Sequence, residues 1–241
     1  MTQTNANSII VLPIQYLKNA TPKTISSLTT IINNGYMQAN KYNLILNTRI
    51  KGPDVFFRDL GFNKNQDKSV LYLLVTDEFF NRPEVNASFE KIQIPKNPVA
   101  ENCISYSTNY YLMNFGSPLD IEIPLNTVLS TIGFKPFKHE QVKEEDKAFE
   151  LTSYTSFGKG YGILGFNQTL LHLNYFLNCE TLIAECFVPH NLVGYYESKL
   201  SFKEFDRNMV YKDRPEEAGF EKGFVCTRDF EVATLKRPIF I

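Results

Sequence analysis

Runs of apolar residues, some continuous and some alternating with polar ones, divide the chain into short strands and a few helices. Ser8 to Tyr16 is rich in Ile, Val and Leu and reads as a strand. Thr21-Pro22 then has the form of a helix N-cap with proline at the first helical position. Ile25, Leu28, Ile31 and Ile32 recur at helical spacing, and Asn33-Asn34-Gly35 weakens or ends that helix. Asp54 to Leu60, closed by Gly61, predicts a second short helix. Ser69 to Thr76 is a compact apolar strand. Val85, Ala87 and Phe89 alternate with polar residues as a half-buried strand does, with a hairpin loop between Asp77 and Pro83.

From Pro95 to Lys147 the pattern is weakest. Cys103 to Met113 reads as a strand, Asn126 to Ile132 as a helical turn, and His139 to Lys147 as a charged, solvated loop. The second half is clearer. Phe149 to Ser156 is a strand, followed by the glycine cluster Gly158 to Gly162. Ile163, Leu164, Leu170, Leu171 and Leu177 then place an apolar stripe on a helix. Thr181 to Val188 is a strand, Leu192 to Leu200 a short helix, and Phe202 to Tyr211 a strand. Lys212 to Gly219 is a polar turn, and Gly223 to Ile239 supplies the last strand. Strands and helices thus mix along one chain, an α/β (α+β mixed-sheet) class. We read one domain, with residues 1–94 as an N-terminal half, 95–147 as an insertion and 148–241 as a ligand-binding half.

Length and composition narrow the function. A chain of 241 residues buries a large core without staples. Lys+Arg total 25 and Asp+Glu 26, for a net charge of −1, so there is no basic footprint for nucleic acid. No apolar run is long enough to span a bilayer. The N-terminal residues lack a basic segment followed by an apolar one, so no signal peptide is read there. The expected compartment is cytosolic or nuclear, and the cysteines are expected as free thiols. Cys103, Cys179, Cys186 and Cys226 form no C-x-x-C pair, and His139, His172 and His190 are scattered, so no metal site is expected.

The candidate chemistry lies in the glycine cluster. Gly158, Gly160, Gly162 and Gly165 are four of twelve glycines, and glycine in a helix costs roughly 1 kcal/mol against alanine. Grouping them at a helix start lets a ligand approach unpaired N–H groups at the positive end of the helix, a phosphate site. A nucleoside-triphosphate loop is excluded, because no Gly-Lys-Ser/Thr is present. Gly160-Tyr161-Gly162-Ile163-Leu164-Gly165 satisfies G-x-G-x-x-G, with Glu180 and Glu185 near the distance of a ribose-binding acid, so an NAD(P)-binding Rossmann reading is open. Little chain remains after it for further crossover helices.

Phe157-Gly158-Lys159-Gly160-Tyr161-Gly162 also resembles the pyrophosphate loop Arg/Gln-x-x-Gly-x-Gly/Ala of the GNAT acetyltransferase superfamily, with Phe157 in place of Arg or Gln. A second family element, Asn before a Tyr-containing helix and a Gly-Phe pair, resembles Asn191 to Phe202, with Ser201 in place of glycine. The resemblance implies a GNAT-like fold in the order β-α-α-β-β-β-α-β-α-β-β, with an insertion before the glycine loop. It implies acetyl-CoA as acyl donor and direct transfer to a small-molecule or peptide amine. The backbone of Phe157, Gly158, Lys159, Gly160, Tyr161, Gly162 and Ile163 would hold the pyrophosphate. An N–H near Tyr154, Thr155 or Ser156 would face the carbonyl oxygen, and Asn191 would contact the pantetheine or cap the following helix. Tyr196 would protonate the departing thiolate, with Tyr195 as the alternative. Glu150 is the first candidate base and Glu185 the second. A GNAT-like module that binds CoA without catalysis is the rival reading. A homo-oligomer is compatible with the sequence. Cys186 and His190, four residues apart, are read as a buried thiol and a loop histidine rather than a nucleophile pair.

Overall fold

The computed structural model describes residues 7–95, 108–137, 147–220 and 224–240. The strands β1 (Asn7–Pro13) and β2 (Val70–Thr76) are the continuous apolar runs of the sequence, and both are buried along almost their whole length. Such runs mark strands covered on two faces. They pair antiparallel, from Asn7 opposite Thr76 to Pro13 opposite Val70. Seven further strands join them: β3 (Phe89–Ile92), β4 (Asn109–Met113), β5 (Val128–Pro136), β6 (Ala148–Ser156), β7 (Thr181–Phe187), β8 (Lys203–Val210) and β9 (Phe230–Pro238). Their order across the one mixed sheet is β3-β4-β1-β2-β5-β6-β7-β9-β8. Only β1 with β4 and β6 with β7 are parallel neighbours.

Helices cover both faces. On one, α1 (Ile14–Leu17) and α2 (Pro22–Met37) bury Leu17, Leu28 and Ile32 against Ile10, Leu12, Leu71 and Leu73. On the other, α5 (Tyr161–Leu177) and α6 (Val193–Leu200) bury Phe166, Leu170, Tyr196 and Leu200 against Ile9, Val11, Tyr72, Leu74 and Ala184. The period-2 alternation of the strands sorts these two sets to opposite sides. Two one-turn to two-turn helices, α3 (Phe56–Asp59) and α4 (Pro83–Ser88), lie in the connections. A third apolar cluster of Leu44, Val210, Cys226, Phe230 and Val232 ties the segment after α2 to the β8–β9 end, where Ile45 bridges Cys226.

Several expectations are corrected. Residues 83–88 form α4, not a strand: Pro83 sits at its first turn, where the missing N–H costs nothing. β2 pairs with β1 and β5, so residues 77–83 make no hairpin. Only Leu125–Thr127 is a helical turn, and Val128 onward is β5, which lies centrally between β2 and β6 although it falls within the stretch expected as an insertion. β3 and β4 instead widen the sheet beyond β1. Helix α2 runs past Asn33-Asn34-Gly35 to Met37. Asn33 spends its side chain outside the helix, on the N–H and C=O of Ile50, both at 2.9 Å. Thr21 is the N-cap residue, but its hydroxyl donates to Asp120 at 2.8 Å rather than capping the helix. Residues 139–146 of the charged loop, and Cys103, lie outside the described residues. Among the described residues, no helix is long and apolar enough to cross a membrane.

Candidate active site

β6 and β7 pair in parallel only from Ala148 and Thr181 to Leu151 and Ala184. Beyond that point β6 stays with β5, as far as Ser156 opposite Ser130, and β7 stays with β9, as far as Phe187 opposite Val232. Two strands held by different partners on their outer sides open a gap between their C-terminal ends. A bulge in β6 accentuates the opening: its register against β5 shifts between Thr131 and Gly133, and Ser153 takes φ 51°. A bulge adds one residue to a strand, bends it and re-aims its side chains. Thr131 fixes the bulge, donating from Oγ1 to the Ser153 carbonyl at 2.5 Å and bonding Thr155 Oγ1 at 2.8 Å. From Thr152 on, the edge of β6 that faces β7 has no strand partner among the described residues.

The glycine cluster begins where β6 ends. Gly160 is the N-cap of α5 with φ 86°, and a Cβ there would meet open space. That conformation favours glycine, since a side chain in it costs roughly 1–2 kcal/mol. Of the N–H groups in the loop, Phe157 donates to Leu129 O (2.9 Å), Gly162 to Ser156 Oγ (3.0 Å) and Leu164 to Gly160 O (3.0 Å), while Tyr161 makes a long 3.4 Å bond to Gly158 O. The N–H groups of Gly158, Lys159, Gly160 and Ile163 have no acceptor among the described residues. Gly158, Lys159 and Gly160 are exposed. The free donors are therefore four, fewer than the seven residues the sequence nominated. Phe157 and Gly162 support the loop instead. A Cβ on Gly162 would stand 3.0 Å from Tyr154 Oη and 3.2 Å from Ser156 Cβ, so this glycine lets α5 start close against β6.

Three tyrosines meet beside this loop. Tyr154, past the bulge, points to the α5 face, and its hydroxyl bonds that of Tyr195 at 3.0 Å. Burial, with the Tyr195 bond second, pushes the Tyr154 phenol well up. Tyr196 is 7% exposed and packs edge-on to Phe202 and Tyr154. Burial raises its pKa well above the ordinary value of 10.0, so it stays protonated. Tyr36, from α2 on the opposite face of the sheet, lies within electrostatic range of that hydroxyl. Tyr196 thus addresses the gap between the strands from the α6 side, and Tyr36 from the α2 side.

The carboxylates stand on the α2 face. Glu150 is opposite Lys135 of β5 and forms an ion pair with it at 3.2 Å. Glu185 follows Ala184, the last residue of β7 paired with β6. The residue is exposed by surface area, yet partial desolvation by the surrounding protein, with the charge of Glu150 second and Lys135 opposing, lifts its carboxyl to about 7. The two carboxylates and Tyr196 therefore approach the opening from opposite faces.

Other nominated residues fall elsewhere. Thr155 turns its side chain to Thr131 and α2. Asn191 is exposed in a left-handed turn at φ 55°, and the α6 cap is Leu192, so Asn191 is not the helix cap. Cys186 lies under Tyr196 in the core, where burial raises its thiol to about 12. His190 stacks on Tyr42 instead (ring centroids 4.9 Å), and burial lowers its pKa. No reactive thiolate arises from this arrangement. Among the described residues, no group of three His, Cys, Asp or Glu is placed to hold a metal.

The sequence did not point to Tyr36, Gln38 or Lys135. Gln38 Nε2 donates to Ser156 O at 2.9 Å, joining the end of α2 to the end of β6. One signal was present: a glycine kept inside a helix. A Cβ on Gly35 would overlap the Thr155 side chain, so Gly35 is where α2 lies directly on β6.

The family model for Sporulation protein RMD6 matches residues 1–239. The Sporulation protein RMD6 of Saccharomyces cerevisiae (strain ATCC 204508 / S288c) is 35% identical over 233 residues, covering 96% of this chain and 95% of that protein. Solved structures that resemble this one are acetyltransferases. A spermidine N-acetyltransferase from Vibrio cholerae, in complex with CoA and spermine, has a TM-score of 0.49 at 8% identity, covering 96% of this chain and 95% of that one. An N-acetyltransferase from Staphylococcus aureus Mu50 has a TM-score of 0.47 at 12% identity, covering 96% and 99%. A family match along nearly the full length and a relative at this identity assign the chain: it belongs to the Sporulation protein RMD6 family.

Proposed function

We propose that this protein is an acetyl-CoA-dependent N-acetyltransferase of GNAT type that acts on an amine by direct transfer. The observation that carries the reading is the opening between β6 and β7, with four free N–H donors of the α5 start beside it. A pantetheine arm needs a narrow slot through a sheet, and a pyrophosphate needs N–H groups at a helix N-terminus. Both lie together here. Acetyl-CoA would supply the thioester carbonyl. Gly158, Lys159, Gly160 and Ile163 would bind its phosphates through the backbone, without a basic surface. The unpaired β6 edge from Thr152 to Ser156 would offer an N–H to the carbonyl oxygen as it gains charge. In the transfer one C–N bond forms and one C–S bond breaks, the thiolate takes the proton of Tyr196, and the N–H proton shed by the nitrogen as it becomes an amide returns to the Tyr196 oxygen.

The dinucleotide reading is less well supported. The strand after α5 is parallel to β6, but the sheet then continues with antiparallel β9 and β8. Glu180 precedes β7 and is ion-paired with Lys147, and Glu185 points to the α2 face, away from α5. Neither is placed for a ribose held at the α5 start.

Calorimetric titration with acetyl-CoA, CoA, NAD and NADP tests the assignment. Binding of acetyl-CoA and CoA, with none of the nicotinamide cofactors, is the expected result. Binding of NAD or NADP and none of acetyl-CoA would overturn it. A thiol-release assay over primary amines then separates catalysis from binding alone.

A further inference from the structure

An alkylammonium ion is not a nucleophile, so a protein that acylates amines near neutral pH needs somewhere for the ammonium proton to go. Glu150 was nominated for this from the sequence. Its carboxylate is engaged by Lys135 of β5 at 3.2 Å. Glu185 is different on three counts. It is the first residue of β7 beyond the last parallel pair, Leu151 with Ala184, and so stands at the root of the opening. Its neighbours Ala184 and Cys186 are packed under α5 and α6, so strand alternation turns Glu185 to the α2 face. The residue is exposed and carries no ion pair among the described residues. Tyr196 reaches the same opening from the other face, with Tyr36 in range of it across the sheet.

We propose that Glu185 is the catalytic base of the amine site, and that Lys135 and Glu150 are positioning residues that set its charge. This rests on the acetyltransferase reading above. The proton passes from the acceptor ammonium to a Glu185 carboxylate oxygen, one N–H bond breaking and one O–H bond forming. The neutral amine then attacks from the α2 face, forming the C–N bond. Tyr196 protonates the sulfur from the α6 face as the C–S bond breaks, the second N–H proton of the adduct returns to the Tyr196 oxygen, and Glu185 releases its proton to solvent. Glu185 and Tyr196 are separate groups on opposite sides of one sheet, one serving the ammonium and the other the leaving sulfur. The charged groups that bear on Glu185 are Glu150 from β6 and Lys135 from β5, and its β9 partner, Thr234, carries no charge. Glu150 raises the Glu185 pKa, Lys135 lowers it, and partial burial leaves it at about 7.

The test is the pH dependence of kcat/KM for acetyl transfer to spermidine, 2-phenylethylamine and lysine amide, with acetyl-CoA affinity measured in parallel by calorimetry. In the wild type, kcat/KM should rise with a midpoint near pH 7 and level off about one pH unit above it, where the base is ionised. In Glu185→Gln it should fall roughly 100-fold or more at pH 7.5 and keep climbing tenfold per pH unit toward the pKa of the amine. The acid limb should move to higher pH in Lys135→Met and to lower pH in Glu150→Gln, shifts of opposite sign that a merely structural role would not produce. Acetyl-CoA affinity should be unchanged in Glu185→Gln. Acetyl-CoA binding together with an unaltered profile in Glu185→Gln would overturn the base and leave the acetyltransferase reading standing. Acetyl-CoA binding with transfer to none of the three amines would also overturn it, because an open carboxylate at the thioester should serve any unhindered primary amine. Absence of acetyl-CoA binding in the wild type would overturn both.

Discussion

Gly165 of α5 lies flat against Ser130 and Ile132 of β5: a Cβ at Gly165 would overlap Ser130 Oγ and stand 2.9 Å from Ile132 Cδ1. Gly160, one turn earlier, has open space at its Cβ position and a φ of 86°. The two glycines therefore do different work, and substitution should separate them. Gly165→Ala should destabilise the protein by about 1–3 kcal/mol, the usual cost of overpacking, because the central strand cannot yield. Gly160→Ala should cost only about 1–2 kcal/mol through backbone strain but weaken acetyl-CoA binding more than Gly165→Ala does. Urea midpoints and calorimetric titration of both variants check this. Equal losses of affinity would mean that the loop acts through packing alone.

His172 is buried on α5, and its Nδ1 is hydrogen-bonded to the Tyr72 hydroxyl at 2.7 Å. Burial lowers its pKa from 6.5 to about 3. Between those values the native state binds fewer protons than the unfolded chain, so this group costs stability as pH falls from 6.5 toward 3. The slope is about 1.4 kcal/mol per pH unit at most. His172→Gln retains a hydrogen-bonding group for Tyr72 and removes the titration. The variant should start less stable at pH 7.5 and then lose about 2 kcal/mol less than the wild type on going to pH 5. Urea unfolding at the two pH values decides it, and parallel losses would show that the ring titrates normally.

Ser201 ends α6 at φ 58°, with the next N–H, of Phe202, bonded back to Tyr196 O at 3.1 Å. This is the left-handed helix end that glycine fills most readily. Ser201→Gly should stabilise the protein by about 0.5–1 kcal/mol, relieving the side-chain strain minus the extra entropy glycine brings to the unfolded chain. A higher thermal midpoint with unchanged acetyl-CoA affinity is expected. Ser201→Ala should not reproduce the gain, since it keeps a Cβ in the same conformation.

What could be read in the sequence follows the range of the forces involved. The strand–glycine–helix run from β6 into α5, and the Asn191–Phe202 segment around α6, carry their signals within a dozen residues, and both elements lie where the pattern put them. Even Ser201 sits at the left-handed turn that the resemblance assigned to glycine. Long-range relations were not legible. The place of β5 depends on pairing with β2, more than fifty residues away. The approach of α2 to the site depends on Gly35 meeting Thr155 and on Gln38 reaching Ser156. Locally, Asn33-Asn34-Gly35 is a helix breaker, and only the contact with β6 explains why the helix continues through it. Nothing in the sequence reveals that Lys135 stands opposite Glu150.

The adjacent tyrosines of α6 offer the sharpest division of roles. The Tyr195 hydroxyl is hydrogen-bonded to that of Tyr154 at 3.0 Å on the α5 face, whereas Tyr196 is buried toward the gap and Tyr36. Tyr195→Phe should cost about 0.5–1.5 kcal/mol of stability for the lost hydrogen bond and leave kcat within a few fold. Tyr196→Phe should lower kcat by roughly 100- to 10,000-fold, the range of a lost general acid, while acetyl-CoA affinity stays near that of the wild type. Because burial holds Tyr196 protonated well above pH 10, the ratio of wild-type to variant rate should be flat from pH 6 to pH 9. That separates it from the base, whose loss changes the shape of the profile. A rate untouched in Tyr196→Phe but collapsed in Tyr195→Phe would move the acid one residue along the helix. The Tyr154 hydrogen bond would then have to open before the thiolate could be protonated.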